Sequence, residues 1–336
     1  MFRGLSFADR LSRFTDPAGE TRRRTILSAV ILSLLTIGPS ILRAQDVDYT
    51  GSVQVSEGPY VFDADTRSFY WFHGLRVAED RWSASVSVPL IRQTTPWISY
   101  AGPGGIPTGG RYHDSLSVRP EHGGSNGGGG PGTGGGGYGG GQQRWALPDS
   151  GSYAEWGLGD PSLQASYELL EGWGRRPALE VTAGVKPPLA DLDRGFGTGA
   201  WDLNVGVSAS EQFGRTFLFA DLGWWRLGDL PELELRDAIS YGLGVGRPVR
   251  AASRWAVLAS FSGQTRIIEE ADPPRQLFGG LTYWSERNWG LSGMIGAGLT
   301  EATADWSISV GYRLRLTRSP NPTTRMLISH RNDIDP

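Results

Sequence analysis

The chain has no cysteine, a single lysine, only four histidines and, past its N-terminus, no long hydrophobic run. Lacking Cys, it can build neither a disulfide scaffold nor a thiolate metal site. An apolar content of 39% over 336 residues leaves no helical membrane span beyond the N-terminus. The histidines are scattered: His113 and His122 lie near a Gly-rich tract, His330 in a polar tail, and His73 between Trp71 and Leu75. No two stand at i, i+4 with a Glu, so the helical zinc-protease motif is absent, and no nucleophile shows triad spacing. Gly strings such as Gly102–Gly110 lack the strand–helix context of a phosphate loop. These absences predict no enzyme, no metal site and no cofactor.

Residues 1–44 read as a secretory signal. Arg22-Arg23-Arg24 precedes the apolar run Thr25–Ile37, and Gly38-Pro39 and the small Ala44 follow. The rival reading is an uncleaved anchor, for which the run is short. Setting the segment aside removes seven Arg and three acidic residues, leaving 25 basic against 32 acidic and a net charge of −7. That balance predicts no nucleic-acid partner.

What the chain does have is alternation. Trp201, Leu203, Val205, Val207 and Ala209 alternate with Asp202, Asn204, Gly206, Ser208 and Ser210. After a turn at Glu211–Arg215, Leu218, Ala220, Leu222 and Trp224 alternate with Phe217, Phe219, Asp221 and Gly223. Period two means extended strands with one apolar and one small or polar face. The pattern recurs near 48–56, 66–78, 81–92, 154–170, 176–186, 199–211, 214–226, 234–246, 253–267, 275–286, 288–299 and 304–316. A soluble sandwich turns such apolar faces inward, whereas an outer-membrane barrel turns them toward lipid.

Three features favour the barrel. Most strands are long enough to cross a bilayer at barrel tilt, which takes roughly 9–11 residues. Trp and Tyr recur at strand ends (Trp82, Trp201, Trp224, Trp255, Tyr283, Trp289, Trp306), as girdles at two lipid–water boundaries require. Connections also alternate in phase: short ones near 78–80, 171–175, 211–215, 247–252 and 286–287, longer ones near 57–65, 93–153, 187–198, 227–233 and 268–274, with 300–303 the exception. Short periplasmic turns and long outer loops are the barrel pattern. The predicted fold is therefore all-β: a transmembrane antiparallel up-and-down β-barrel of about twelve strands spanning 45–316, in the bacterial outer membrane. Residues 101–150, rich in Gly, Pro and Ser, read as a mobile outer loop or a plug, and 317–336 as a polar tail.

Gly157-Leu158-Gly159-Asp160, the stretch from Pro177 through Lys186 to Pro188, and Phe196-Gly197-Thr198-Gly199 ahead of the Trp201 strand resemble the outer-membrane barrel family named for the MetA pathway of phenol degradation. The resemblance covers about 154–316 and, less clearly, 66–92. It implies an outer-membrane barrel with a role in passing small, often aromatic or hydrophobic, molecules. Ser309, Gly311, Leu314 and Leu316 resemble the C-terminal insertion signal by which barrel assembly machinery accepts a terminal strand, although 20 further residues follow.

If the apolar files face lipid, the opposite files face a lumen. They carry Arg76, Glu168, Glu180, Lys186, Asp202, Asn204, Asp221, Arg236, Arg313 and Arg315. Such charges either pair across a wet interior or form a constriction that selects permeants. Lys186, the single Lys, stands before Pro187-Pro188, where a place on the strand's outer rim is also open. The expected partners are outer-membrane lipid, barrel assembly machinery and small hydrophobic or aromatic permeants. The alternatives are a structural or surface-interaction barrel without a conducting lumen, and a lipid-acting membrane enzyme.

Overall fold

The computed structural model describes residues 46–62, 65–96, 98–101, 104–107, 153–172, 176–229, 234–250, 253–269, 271–286 and 288–317. The expected signal segment 1–44, the tail beyond 317 and most of the Gly-rich stretch lie outside them.

Every element among the described residues is a strand: β1 Asp46–Gly58, β2 Thr66–Glu79, β3 Trp82–Gln93, β4 Ile98–Ala101, β5 Gly104–Pro107, β6 Glu155–Leu158, β7 Ser162–Leu170, β8 Ala178–Lys186, β9 Asp202–Phe213, β10 Thr216–Arg226, β11 Ala238–Pro248, β12 Trp255–Gln264, β13 Arg275–Trp284, β14 Trp289–Gly298 and β15 Trp306–Thr317. Twelve of them form one antiparallel ring. Sequence neighbours pair from β7 to β15, β15 pairs with β1, β1 with β2, β2 with β3, and β3 with β7. Closure leaves no lateral edge, the one sheet arrangement that satisfies its backbone groups inside hydrocarbon. β4 and β5 form a separate small hairpin at the start of the Gly-rich connection.

The apolar files point outward. Leu203, Val205, Leu222, Leu243, Val257, Leu281, Ile295 and Ile308 are all exposed large hydrophobics on the outer wall. Trp82, Trp255, Tyr283 and Trp289 lie at the short-turn end of their strands, and Trp156, Trp201, Trp224 and Trp306 at the long-loop end. The two girdles set the membrane boundaries, and the short turns mark their end as periplasmic. Two shallow hollows of about 670 Å³ each dent this wall, one around Leu218 and Leu243, the other around Val205 and Leu222. Both lie where acyl chains pack.

The strand boundaries depart from the periodicity in instructive places. The strand expected over 154–170 is broken into β6 and β7. On β3, Leu90 pairs with Leu158 but Ser87 with Ser162, so three residues face two across the break. Pro89 and Pro161 both fall within the break, and neither has an N–H to give to the ladder. The hairpin at 211–215 is tighter than expected: Glu211, Gln212 and Phe213 continue the ladder, leaving Gly214-Arg215 as a two-residue turn. Gly214 takes φ +59°, which suits Gly as the first residue of such a turn. β11 begins at Ala238 rather than near 234, with consequences for Arg236.

Candidate functional site

Alternation and register together fix which side chains enter the lumen. Arg76, Glu168, Glu180, Lys186, Asp202, Asn204, Asp221, Arg313 and Arg315 all lie on inward files. Arg236 does not. It precedes β11, is exposed, and its Nη2 lies 2.6 Å from Glu269 Oε1 on the neighbouring loop. The misplacement arose from extending strand parity across residues that belong to a loop. His73 lies on the outward file, its Nδ1 2.6 Å from the Tyr49 hydroxyl, and its ring 4.4 Å from Trp71.

At the periplasmic end the charges are sorted by wall. Asp48, fully buried, bonds Arg313 Nη2 and lies 3.5 Å from Arg315 Nε, while Arg76 is its register partner on β2. Glu168 and Glu180 are register partners on β7 and β8. All six residues lie two to four positions from the periplasmic ends of their strands. Asp48 escaped the sequence reading, although it occupies an inward position on β1; its signal was the two Arg it would face on the last strand. Between β10 and β14 the wall carries instead Phe219, Leu258, Phe278 and Met294.

The extracellular half holds the most constrained charges. Lys186 is buried between two carboxylates, its Nζ 3.2 Å from Asp160 Oδ2 and 2.8 Å from Asp202 Oδ2, with Thr198 Oγ1 at 3.4 Å. The other oxygens are also occupied. Asp160 Oδ1 accepts the N–H groups of Leu189 and Ala190 at 2.8 Å each, and Asp202 Oδ1 accepts the Gly228 N–H at 3.0 Å. Buried charges are tolerated when paired and hydrogen-bonded in this way. Their result is mechanical: the β8–β9 loop, 187–201, is tied down over the inner wall. Lys186 thus stands at the extracellular end of β8, buried there as the anchor of this loop.

That loop places Phe196, 1% exposed, among Tyr70, Ile91 and Ala190, with Phe72 beside them. The ring rests on Gly157, where any Cβ would collide with it. Gln93 Nε2 donates to the Gly195 carbonyl at 3.2 Å and Tyr153 to that of Arg194 at 2.6 Å. The three short segments that carry the family resemblance, around Gly157–Asp160, Lys186 and Phe196–Gly199, therefore converge on one structural node. Beside it lies a cavity of about 270 Å³ lined by Phe72, Pro89, Trp225, Asp160, Lys186 and Asn204, among others.

Above the cavity, loops from opposite sides of the ring meet. Tyr60, Val61 and Phe62 from the β1–β2 loop pack with Leu227, Leu235, Ile267, Ile268 and Ala302, and Leu192 and Trp225 join the margin. These side chains form an apolar lid across the outer mouth. The backbone holds it: the Val61 N–H donates to Glu301 O and the Arg236 N–H to Ile267 O. Burial pushes the Tyr60 hydroxyl above the ordinary tyrosine range, against the opposing effect of its hydrogen bond to Ser56 Oγ at 3.1 Å. The stability Tyr60 contributes is complete below its unfolded-state pKa of about 10 and is lost as pH rises through the higher folded value. Alkali should therefore loosen the lid, and ionic current across a planar bilayer should rise above about pH 10 in wild type but less in Tyr60→Phe.

A closed antiparallel barrel with a greasy exterior, two aromatic girdles and a polar lumen defines an outer-membrane protein of a diderm bacterium. No family model matches the chain, and none of the curated proteins does. Among solved structures it is similar to the crystal structure of the COG4313 outer membrane channel from Pseudomonas putida F1. The TM-score is 0.51 at 12% identity, over 81% of this chain and 96% of that one. The KdgM porin (TM-score 0.40, 8% identity, 80% and 98% of the two chains) and the CymD monoaromatic hydrocarbon channel (0.36, 11%, 82% and 90%) are more distant. The likeness to the channel from Pseudomonas putida establishes the fold alone.

Proposed function

We propose that the barrel passes small hydrophobic compounds, single-ring aromatic molecules among them, across the outer membrane. The lid is the observation that carries this reading. An ion crossing Tyr60, Phe62, Leu227 and Ile268 would shed its hydration with nothing to replace it, at a cost of many kcal/mol, whereas an apolar solute would not. Phe72, backed by the packed Tyr70, Ile91 and Phe196, then gives a second station an apolar surface. The cavity beside them, about 270 Å³, falls just below the roughly 300–1,000 Å³ of drug-sized ligand sites. It suits one ring better than a long acyl chain. Arg76, Glu180, Asp221, Arg313 and Arg315 would form a charged exit beneath it, with Lys186, Asp202 and Asn204 bounding the station. The family resemblance supports the same substrate class. Within this reading residues 1–44 direct export, and Ser309, Gly311, Leu314 and Leu316 on β15 present the insertion signal to the assembly machinery.

The test pairs two measurements. Wild-type protein in planar bilayers should pass little ionic current yet let a small aromatic solute into proteoliposomes faster than it admits glucose. Trimming the lid with Phe62→Ala and Ile268→Ala should raise the current severalfold. The same lid, if it never opens, favours a structural barrel without a conducting lumen. Absence of aromatic uptake in both wild type and the trimmed variant would decide for that second reading.

A further inference from the structure

The outer wall carries arginines of its own, apart from those of the lumen. Arg92 is outward and exposed one position from the extracellular end of β3, Arg226 is outward at the end of β10, and Arg275 outward at the start of β13. No carboxylate among the described residues pairs with any of the three. Their neighbour Arg67 differs: its Nη2 lies 2.9 and 3.0 Å from the two Glu57 oxygens, so its charge is already met. Arg92 sits instead over the face of Trp156, 5.9 Å from the ring centroid, and Trp156 is held edge-on by Phe69 at 5.5 Å. Below this pair the wall is apolar, with Trp71, Leu75 and Leu158 exposed.

A guanidinium at the edge of hydrocarbon that no carboxylate of the described residues meets is costly, and an aromatic face offsets only part of that cost. Its planar fork is shaped for two oxygens of one phosphate. The outer leaflet of this membrane presents such groups on acyl-chained glucosamine, at the level of the extracellular girdle. We infer that Arg92 on its Trp156–Phe69 platform, with Arg226 and Arg275 further round the ring, docks the phosphates of lipid A, while the apolar wall beneath takes its acyl chains. The partner is thus the outer leaflet's phosphorylated glycolipid, bound on the outside of the barrel and independent of anything the lumen transports.

Purified full-length protein, folded in detergent, would be titrated with lipid A and read by native mass spectrometry. Wild type should bind lipid A and lose most of that binding when both phosphates are removed from the ligand. Arg92→Gln should bind about tenfold more weakly, the loss of one charge-assisted contact, and Arg92→Lys should fall between. Arg247→Gln serves as the control, since Arg247 is outward at the periplasmic end of β11 and faces the other leaflet. Equal binding of the dephosphorylated ligand would overturn the inference, and this comparison needs no variant to fold. So would wild-type affinity in a folded Arg92→Gln, Arg226→Gln, Arg275→Gln triple variant. Phosphatidylglycerol binding as tightly as lipid A would overturn the assignment to the glycolipid.

Discussion

Replacing Lys186 by Ala should destabilise the folded protein by about 3–5 kcal/mol, the usual consequence of removing one partner from a buried ion pair. Here the effect falls on two carboxylates, since Asp160 and Asp202 are both buried and both lose their cation. Neither can turn to water, because each also holds backbone N–H groups of a neighbouring loop. The loss should be partly recovered by adding Asp160→Asn, which removes one stranded charge while keeping an oxygen for Leu189 and Ala190. Urea titration of the heat-modifiable folded band measures the total effect. Limited proteolysis within 187–201 reads the loop itself. A variant as stable as wild type, with its loop still protected, would show that the anchor is idle.

The second large effect distinguishes the two faces of the wall. Leu243 is 62% exposed and lies midway along β11, so Leu243→Arg should cost ~2–4 kcal/mol of folding stability in lipid vesicles. The same charge on the inward file should be tolerated. Ser208 is register partner to both Glu180 and Asp221, so Ser208→Arg would find acids waiting and stay within about 0.5 kcal/mol of wild type. Equal penalties at the two positions would mean that the outer wall does not meet hydrocarbon.

Period-two patterning made the ring of twelve strands legible, because each strand has one face toward lipid and one toward water. Both faces write into the sequence, as Trp306, Ile308 and Val310 against Ser307, Ser309 and Gly311 show. Parity also placed nearly all of the inward charges. It failed at Arg236, where it was carried past the end of a strand, and at Glu211–Phe213, where a strand ran further than its polarity implied. The lid was illegible. Tyr60, Val61 and Phe62 form a run without period, and nothing local shows that Leu227 and Ile268 come from across the mouth to meet them. The Lys186 anchor was half visible. A lone Lys before two prolines marks itself, but Asp160 and Thr198 reach it only because three adjacent strands and an inward loop bring them together. Pro161 carried a warning of the broken strand that alternation on either side concealed.

The seam between β1 and β15 governs how this molecule can be made. Val53 meets Val310 across it, and Val47 meets Thr317, so the ring joins the beginning of the folded region to its last strand. Until β15 is in place, β1 has a vacant side, and any partly assembled sheet carries two unsatisfied edges open to aggregation. Loss of either terminal strand would leave eleven in an open sheet, so every other pairing depends on this one closure for its place in the membrane.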